Sequence, residues 1–154
     1  MLAKHALAGC ALVLAVSGCA HAGRTSCFGK AADARSVEQS VRSYFAALAA
    51  EDETASARLT SPSFYSFDAG KRFTNAELVV AIKRAHAQGT VLQWNIGPVD
   101  THVGCDTAWA AWVNTGAAGP AGALKPVRWL ESAMLRRTDG GWKLEFLHSS
   151  RAQD

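Results

Sequence analysis

Residues 129–150 read WLESAMLRRTDGGWKLEFLHSS, two runs of alternating apolar and polar residues that meet at Asp139-Gly140. Alternation with period two marks half-buried strands. An Asp-Gly pair between two such runs marks a hairpin closed by a type I′ turn. With Asp139 and Gly140 as the two loop residues, Leu135 faces Leu144, Ala133 faces Phe146, Glu131 faces His148 and Trp129 faces Ser150. Trp142, Leu144, Phe146 and His148 then share one face. That face is apolar, which makes it the inner one and places Glu131 beside His148 inside the fold. A carboxylate next to an imidazole in a poorly solvated place favours the charged pair. Such a pair serves either as an acid/base unit or as a satisfied buried polar contact. A slip of one residue in register would undo it.

Working outward, the spacing predicts further strands near 91–97, 99–104, 107–115 and 126–138, with the last strand near 141–149. Gly97-Pro98 and Gly104-Cys105-Asp106 are read as turns between them. Gly116 to Lys125, uncharged until its last residue, reads as a long hairpin loop or a mobile lid. In 108–113 both faces are apolar, Ala108, Ala110 and Trp112 on one side and Trp109, Ala111 and Val113 on the other. One of the two faces therefore needs a cover, from the rest of the fold or from a partner. Trp94, Trp109, Trp112 and Trp129 are assigned to the core, a cavity wall or a dimer face. His86 and His102 read as surface or boundary residues.

The half before residue 90 is helical in pattern. Val37, Val41, Tyr44, Phe45 and Leu48 recur at helical spacing, and Ser36 with Gln39 forms a capping box that predicts the helix start. Asp52 caps a short second helix ending near Leu59, and Pro62 breaks the chain. Ser63 to Phe67 is a short β run closed by Asp68-Ala69-Gly70. Thr74 and Glu77 form another capping box, followed by the stripe Leu78, Val79, Ile82 and Ala85 and by Gly89 as a helix stop. Helix, helix, strand, helix and then a run of strands is an α+β order: a curved antiparallel sheet of about five to six strands wrapped on three N-terminal helices.

The chain has 154 residues with 16 Lys and Arg against 13 Asp and Glu, a formal net charge of +3. The charges are scattered and form no phosphate-tracking stripe, so nucleic acid is excluded as a partner. There is no HExxH, CxxC or P-loop pattern, and neither a metal nor another cofactor is implied. A Ser nucleophile has no Gly-x-Ser-x-Gly setting.

The first residues read as an export signal. Lys4 stands before the apolar run Ala6 to Val16, which is too short to span a bilayer and fits a secretory h-region. Val16-Ser17-Gly18-Cys19 resembles a bacterial lipobox, in which Cys19 takes the lipid. The division is then a signal peptide over 1–18, a lipidated tether over 19–33 and one domain over 34–154. Ala20 after the Cys favours the outer membrane, facing the periplasm. Cys10 leaves with the signal. Cys27 and Cys105 remain, in a compartment where a disulfide persists. Pairing them would leave residues 20–26 as the free tether, about 25 Å at full extension, and hold the domain near the membrane.

The element order resembles the nuclear transport factor 2-like superfamily, which includes ketosteroid isomerases and SnoaL-like polyketide cyclases. Local stretches agree with it: Val41-Arg42-Ser43-Tyr44-Phe45-Ala46-Ala47-Leu48 looks like the first helix, Cys105-Asp106-Thr107-Ala108-Trp109 like the turn into a central strand, and Arg136 to Leu144 like the final hairpin. The resemblance covers about residues 34–150. It implies a cone with an apolar cavity between sheet and helices, here lined by Tyr65, Trp129, Leu144 and Phe146. It also implies a second constellation. Tyr44 matches a helix-one tyrosine that donates to an oxyanion, and Asp68 an aspartate that moves the proton; that enzyme is one of the standard cases of carboxylate tuning. The late-strand acid of the isomerases has no clear counterpart, because Ser132-Ala133-Met134 stands there and Glu131 is the nearest acid. Both matches also have plain readings, Tyr44 as core and Asp68 as a turn former.

The superfamily hosts enzymes and non-catalytic binders alike. The leading expectation is a membrane-anchored periplasmic domain that binds a small apolar or amphipathic ligand, or a protein partner, without catalysis. A small proton-transfer enzyme using Tyr44, Asp68, Glu131 and His148 is the alternative, and a structural envelope module the third reading. Homodimerisation through the sheet is a further expectation.

Overall fold

The computed structural model describes residues 31–152, with the side chains from Asp33 onward. The expected signal, Cys19 and Cys27 lie outside the described residues. Three helices pack on a strongly curled sheet of seven strands, two of which, with the first two helices, precede the third helix.

The first helix, α1 (Ala31–Ala49), begins earlier than its expected capping box, and Ser36 falls inside its second turn. Its residues Val37, Val41, Tyr44, Phe45 and Leu48 are all buried, which is the helical stripe read from the sequence. α2 (Glu53–Leu59) is capped by Asp52, whose carboxylate accepts from the Ala55 backbone N–H at 2.8 Å. α3 (Asn75–Ala87) carries the full Thr74/Glu77 capping box, and Gly89 after it has φ +82°.

The strands are β1 (Thr60–Asp68), β2 (Lys71–Phe73), β3 (Thr90–Gln93), β4 (Ile96–Val103), β5 (Thr107–Pro120), β6 (Lys125–Thr138) and β7 (Gly141–Arg151). They run in the order β2-β1-β7-β6-β5-β3, with β4 also paired to β5. All pairs are antiparallel except β1 with β7. The sheet is thus mixed rather than wholly antiparallel. A chain that passes through α3 and four further strands before returning to β1's edge arrives in β1's own direction.

Several local expectations are corrected. Pro62 lies within β1, not in a break. It falls between Thr60 and Tyr65, where the β1–β7 register shifts, so its missing N–H interrupts no regular ladder. Gly97-Pro98 is no turn either; it sits in β4 at the irregularity between Ile96 and Val99. The expected loop over 116–125 is mostly strand, because β5 and β6 stay paired out to Ala118 and Lys125. Gly116 lets β3 approach β5 closely there: a Cβ would lie 1.9 Å from the Gln93 carbonyl oxygen. The final hairpin closes at Asp139-Gly140 as expected, but not with a type I′ turn. Positive φ occurs at Gly141, +103°, instead of at the two loop residues.

The largest correction is one residue deep. From Thr138 with Gly141 to Leu135 with Leu144 the hairpin follows the expected pairing, then Met134 pairs with Phe146. Glu145 is the extra residue of a β-bulge. It is fixed by Arg136, whose Nε donates to it at 2.8 Å, and by the Ser63 hydroxyl at 3.3 Å. A single inserted residue exchanges the two faces of the strand beyond it. Trp142 and Leu144 face the core before the bulge, and Leu147 does so after it.

Candidate functional site

A cavity of about 680 Å³ opens between the sheet and the ends of α1 and α3. Phe45 and Leu48 of α1, Leu78 and Ile82 of α3, and Leu92 and Trp94 at β3 form its apolar side. The opposite wall is Trp129 and Glu131 of β6 with residues 147–151 of β7, and the β1–β2 turn, Asp68-Ala69-Gly70, closes the edge. The turn is tight, with φ +49° at Ala69 and +73° at Gly70. By strand alternation Asp68 lies on the side of Phe64 and Ser66, and Phe67, though exposed, also borders the cavity.

Glu131 is the polar centre of this wall. It is only 5% exposed. Trp112 Nε1 donates to its Oε2 at 2.6 Å, Asn114 Nδ2 to the same oxygen at 2.9 Å, and the Ser149 hydroxyl to Oε1 at 3.0 Å. Asn114 is itself oriented, because its Oδ1 accepts the Asn95 backbone N–H at 2.9 Å. Burial raises the Glu131 carboxyl above its ordinary range, the Asn114, Ser149 and Trp112 donors pull it back, and the charge of Asp68 pushes it up again. Asp68 is raised by burial as well, against its bond to the Ala69 backbone and the charges of Arg151 and His148.

The structure sorts the expected site residues. Glu131 pairs with Ser149, not with His148, which pairs with Ser132. The bulge at Glu145 sends His148 to the outer side of its strand; it is exposed, at the edge of the cavity wall. Phe146 follows it outward and joins Tyr65 and Phe67 in an external aromatic cluster with centroids 5.1–5.8 Å apart. Arg72 covers Tyr65 at 4.3 Å. Tyr65 and Phe146 therefore do not line the cavity. Leu144 is fully buried in the core. Tyr44 is also outside the lining: its hydroxyl donates to Asn75 Oδ1 at 3.1 Å, and Asn75 in turn donates to Ser56 at 3.0 Å. Burial holds the Tyr44 phenol far above its usual range. Trp129, Asp68 and Glu131 line the same cavity. Ser149, Asn114 and Trp112 were missed, because only the bulge puts Ser149 opposite Glu131.

The tryptophans divide three ways. Trp94 and Trp129 are cavity wall and Trp112 is core, while Trp109 is 44% exposed on the outer face of β5 and stacks on His102 at 3.9 Å. Among the described residues no cluster of His, Cys, Asp and Glu could hold a metal ion, and no helix is long and apolar enough to cross a membrane.

The sequence model of the SnoaL-like domain matches residues 37–154. No curated protein matches the chain by sequence. Solved structures share its fold. A ketosteroid isomerase-like protein from Erwinia carotovora atroseptica aligns with a TM-score of 0.65 at 16% identity, over 81% of this chain and 100% of its own. A nuclear transport factor 2-like protein with a cystatin-like fold from Novosphingobium aromaticivorans gives 0.67 at 18% identity, over 79% and 83%. A nuclear transport factor 2-like protein of unknown function from Pseudomonas putida KT2440 gives 0.66 at 18%, over 81% and 90%. At these identities the likeness concerns the fold.

Proposed function

The chain belongs to the SnoaL-like domain family of the nuclear transport factor 2-like superfamily, and on that premise we propose that it binds a small, mainly apolar ligand in the cone. The observation that carries this reading is the cavity itself. Its volume of about 680 Å³ lies within the roughly 300–1,000 Å³ of small-molecule sites, which combine apolar walls with a few placed polar groups. Here the walls are Phe45, Leu78, Ile82, Leu92, Trp94 and Trp129, and the polar groups gather at Asp68, Glu131 and Ser149. Trp94 and Trp129 flank this space and leave it open. Tyr44, the donor on which the isomerase-type reading depends, is engaged with Asn75 instead, so binding is favoured over proton-transfer catalysis.

Native mass spectrometry of the whole protein purified from its own host tests the reading. The expected result is a retained small molecule that is lost when Leu78→Trp fills the cavity. Absence of any retained species from both proteins would overturn it.

We further propose that the domain is exported and lipid-anchored through Cys19, most simply on the periplasmic side of the outer membrane. The support is the apolar run 6–16 and the Val16-Ser17-Gly18-Cys19 pattern. Metabolic labelling with palmitate should mark the native chain and not Cys19→Ser. A Cys27–Cys105 disulfide is part of the same proposal. Arg137 supports it by donating to the Cys105 carbonyl at 3.0 Å while pairing with Asp33 at 2.9 Å, which draws the start of α1 to the Cys105 turn. Two freely alkylated thiols without prior reduction would exclude the pairing. A homodimer through the outer sheet face is proposed on the exposure of Trp109, Val113, Leu130 and Met134, which lie on neighbouring strands β5 and β6.

A further inference from the structure

Glu131 is a buried carboxylate without a cation. Among the described residues every ion pair lies elsewhere: Arg42 with Glu38, His86 with Glu51, His102 with Asp100, Arg136 with Glu145 and Arg137 with Asp33. Three neutral donors satisfy its oxygens, two on Oε2 and one on Oε1. They compensate hydrogen bonding but bring no opposing charge, and buried charges are ordinarily paired. Asp68, on the far edge of the same cavity, adds a second carboxylate close enough to repel the first.

The arginine of the cavity lining does not answer Glu131. Arg151 and His148 act on Asp68. Arg151 pairs across the hairpin with Trp129, two positions beyond the Glu131–Ser149 pair, toward the end of β7. Among the described lining residues two carboxylates, Asp68 and Glu131, stand against one arginine, Arg151. With them in the lining stand Phe45, Trp94 and Trp129. Aromatic faces attract cations, most strongly where water is excluded. Oε1 takes one donor in the structure and has a further lone pair available to a donor arriving from the cavity.

We propose that the ligand class of this cavity is a compact apolar amine, its ammonium seated beside Glu131 and its hydrocarbon body against Phe45, Trp94 and Trp129. This rests on the ligand-binding reading above and narrows it to one head group. It differs from acid/base catalysis in that no proton need move: the carboxylate acts as counter-ion and hydrogen-bond acceptor.

A rigid series with one body and three head groups tests it: 1-adamantanamine, 1-adamantanol and 1-adamantanecarboxylate, titrated at neutral pH into the whole protein. Tryptophan emission and calorimetry are the readouts. The amine should bind at least about tenfold more tightly than the alcohol, and the carboxylate more weakly than both. Glu131→Gln should bring the amine to within about twofold of the alcohol. Comparison of the three ligands on the unmodified protein holds even if the variant folds poorly. Equal affinity for all three, or preference for the carboxylate, would overturn the amine assignment and leave the ligand-binding reading in place. Binding of none would overturn both.

Discussion

Ser149 stands opposite Glu131 across the β6–β7 hairpin and donates its hydroxyl to Oε1 at 3.0 Å. This contact exists because Glu145 adds one residue to β7. Without the bulge His148 would occupy the place of Ser149, and the wall of the cavity would carry an imidazole in place of a neutral hydroxyl. The difference sets the chemistry of the cone, since a carboxylate neutralised by its neighbour would have no need of a cationic ligand.

Removal of the Glu131 carboxylate should be costly. In Glu131→Leu the Trp112 indole N–H and the Asn114 amide lose their shared acceptor inside the protein. Each buried unsatisfied donor costs about 1–3 kcal/mol, so the expected loss for the two is about 2–6 kcal/mol in urea unfolding. Glu131→Gln keeps one acceptor oxygen and should lose about 1–2 kcal/mol.

The pH dependence has a definite sign. Burial raises the Glu131 and Asp68 carboxyls in the folded protein. The folded state then holds more protons than the unfolded chain, so these groups favour folding below the ordinary carboxylate values. That contribution is lost as pH rises through the raised ones. Measured from pH 4.5 upward, the unmodified protein should lose stability relative to the Asp68→Asn, Glu131→Gln double variant. A gap that stays constant with pH would contradict the burial effect.

Tyr44→Phe separates the core role of this residue from a catalytic one. Its hydroxyl bonds to Asn75 and lies outside the cavity lining. The substitution should cost about 1 kcal/mol and leave ligand affinity within about twofold. Abolished binding would place the phenol in the site.

Gly116→Ala tests the close crossing of β5 and β3. The new Cβ would meet the Gln93 carbonyl oxygen at 1.9 Å and Trp129 at 3.1 Å. Backbone cannot yield as a flexible side chain does, and a loss of about 2–4 kcal/mol is expected. Because β3 leads into Trp94, the tryptophan emission should shift as well. A melting curve identical to that of the unmodified protein would contradict the close approach.

Met134 is 53% exposed on the outer sheet face. Met134→Glu should alter stability by no more than about 0.5 kcal/mol and convert a dimer to a monomer in analytical ultracentrifugation. A protein that is monomeric before substitution would remove the dimer proposal.

The sequence by itself determined the element order, the buried stripe of α1, both helix caps at Asp52 and Thr74, the closing turn at Asp139-Gly140 and the family likeness. These are local: each depends on residues within a few positions of one another, where spacing and capping chemistry are readable. Strand alternation along 126–138 also put Trp129 and Glu131 on one face, and the family likeness pointed to Asp68; all three line the cavity. What only the tertiary structure decided begins at Glu145. A bulge is stabilised by its partners, here Arg136 and Ser63, and Ser63 belongs to a strand more than eighty positions away that joins β7 in parallel. No local pattern in 141–151 announces it, because Leu144, Phe146 and Leu147 are all apolar and either face could be the inner one. The exchange of His148 for Ser149, the outward turn of Phe146 toward Tyr65, and the engagement of Tyr44 with Asn75 all depend on contacts between distant segments. The family fold was therefore legible from local order, while the polar character of its cavity was set by one inserted residue and the long-range packing that holds it.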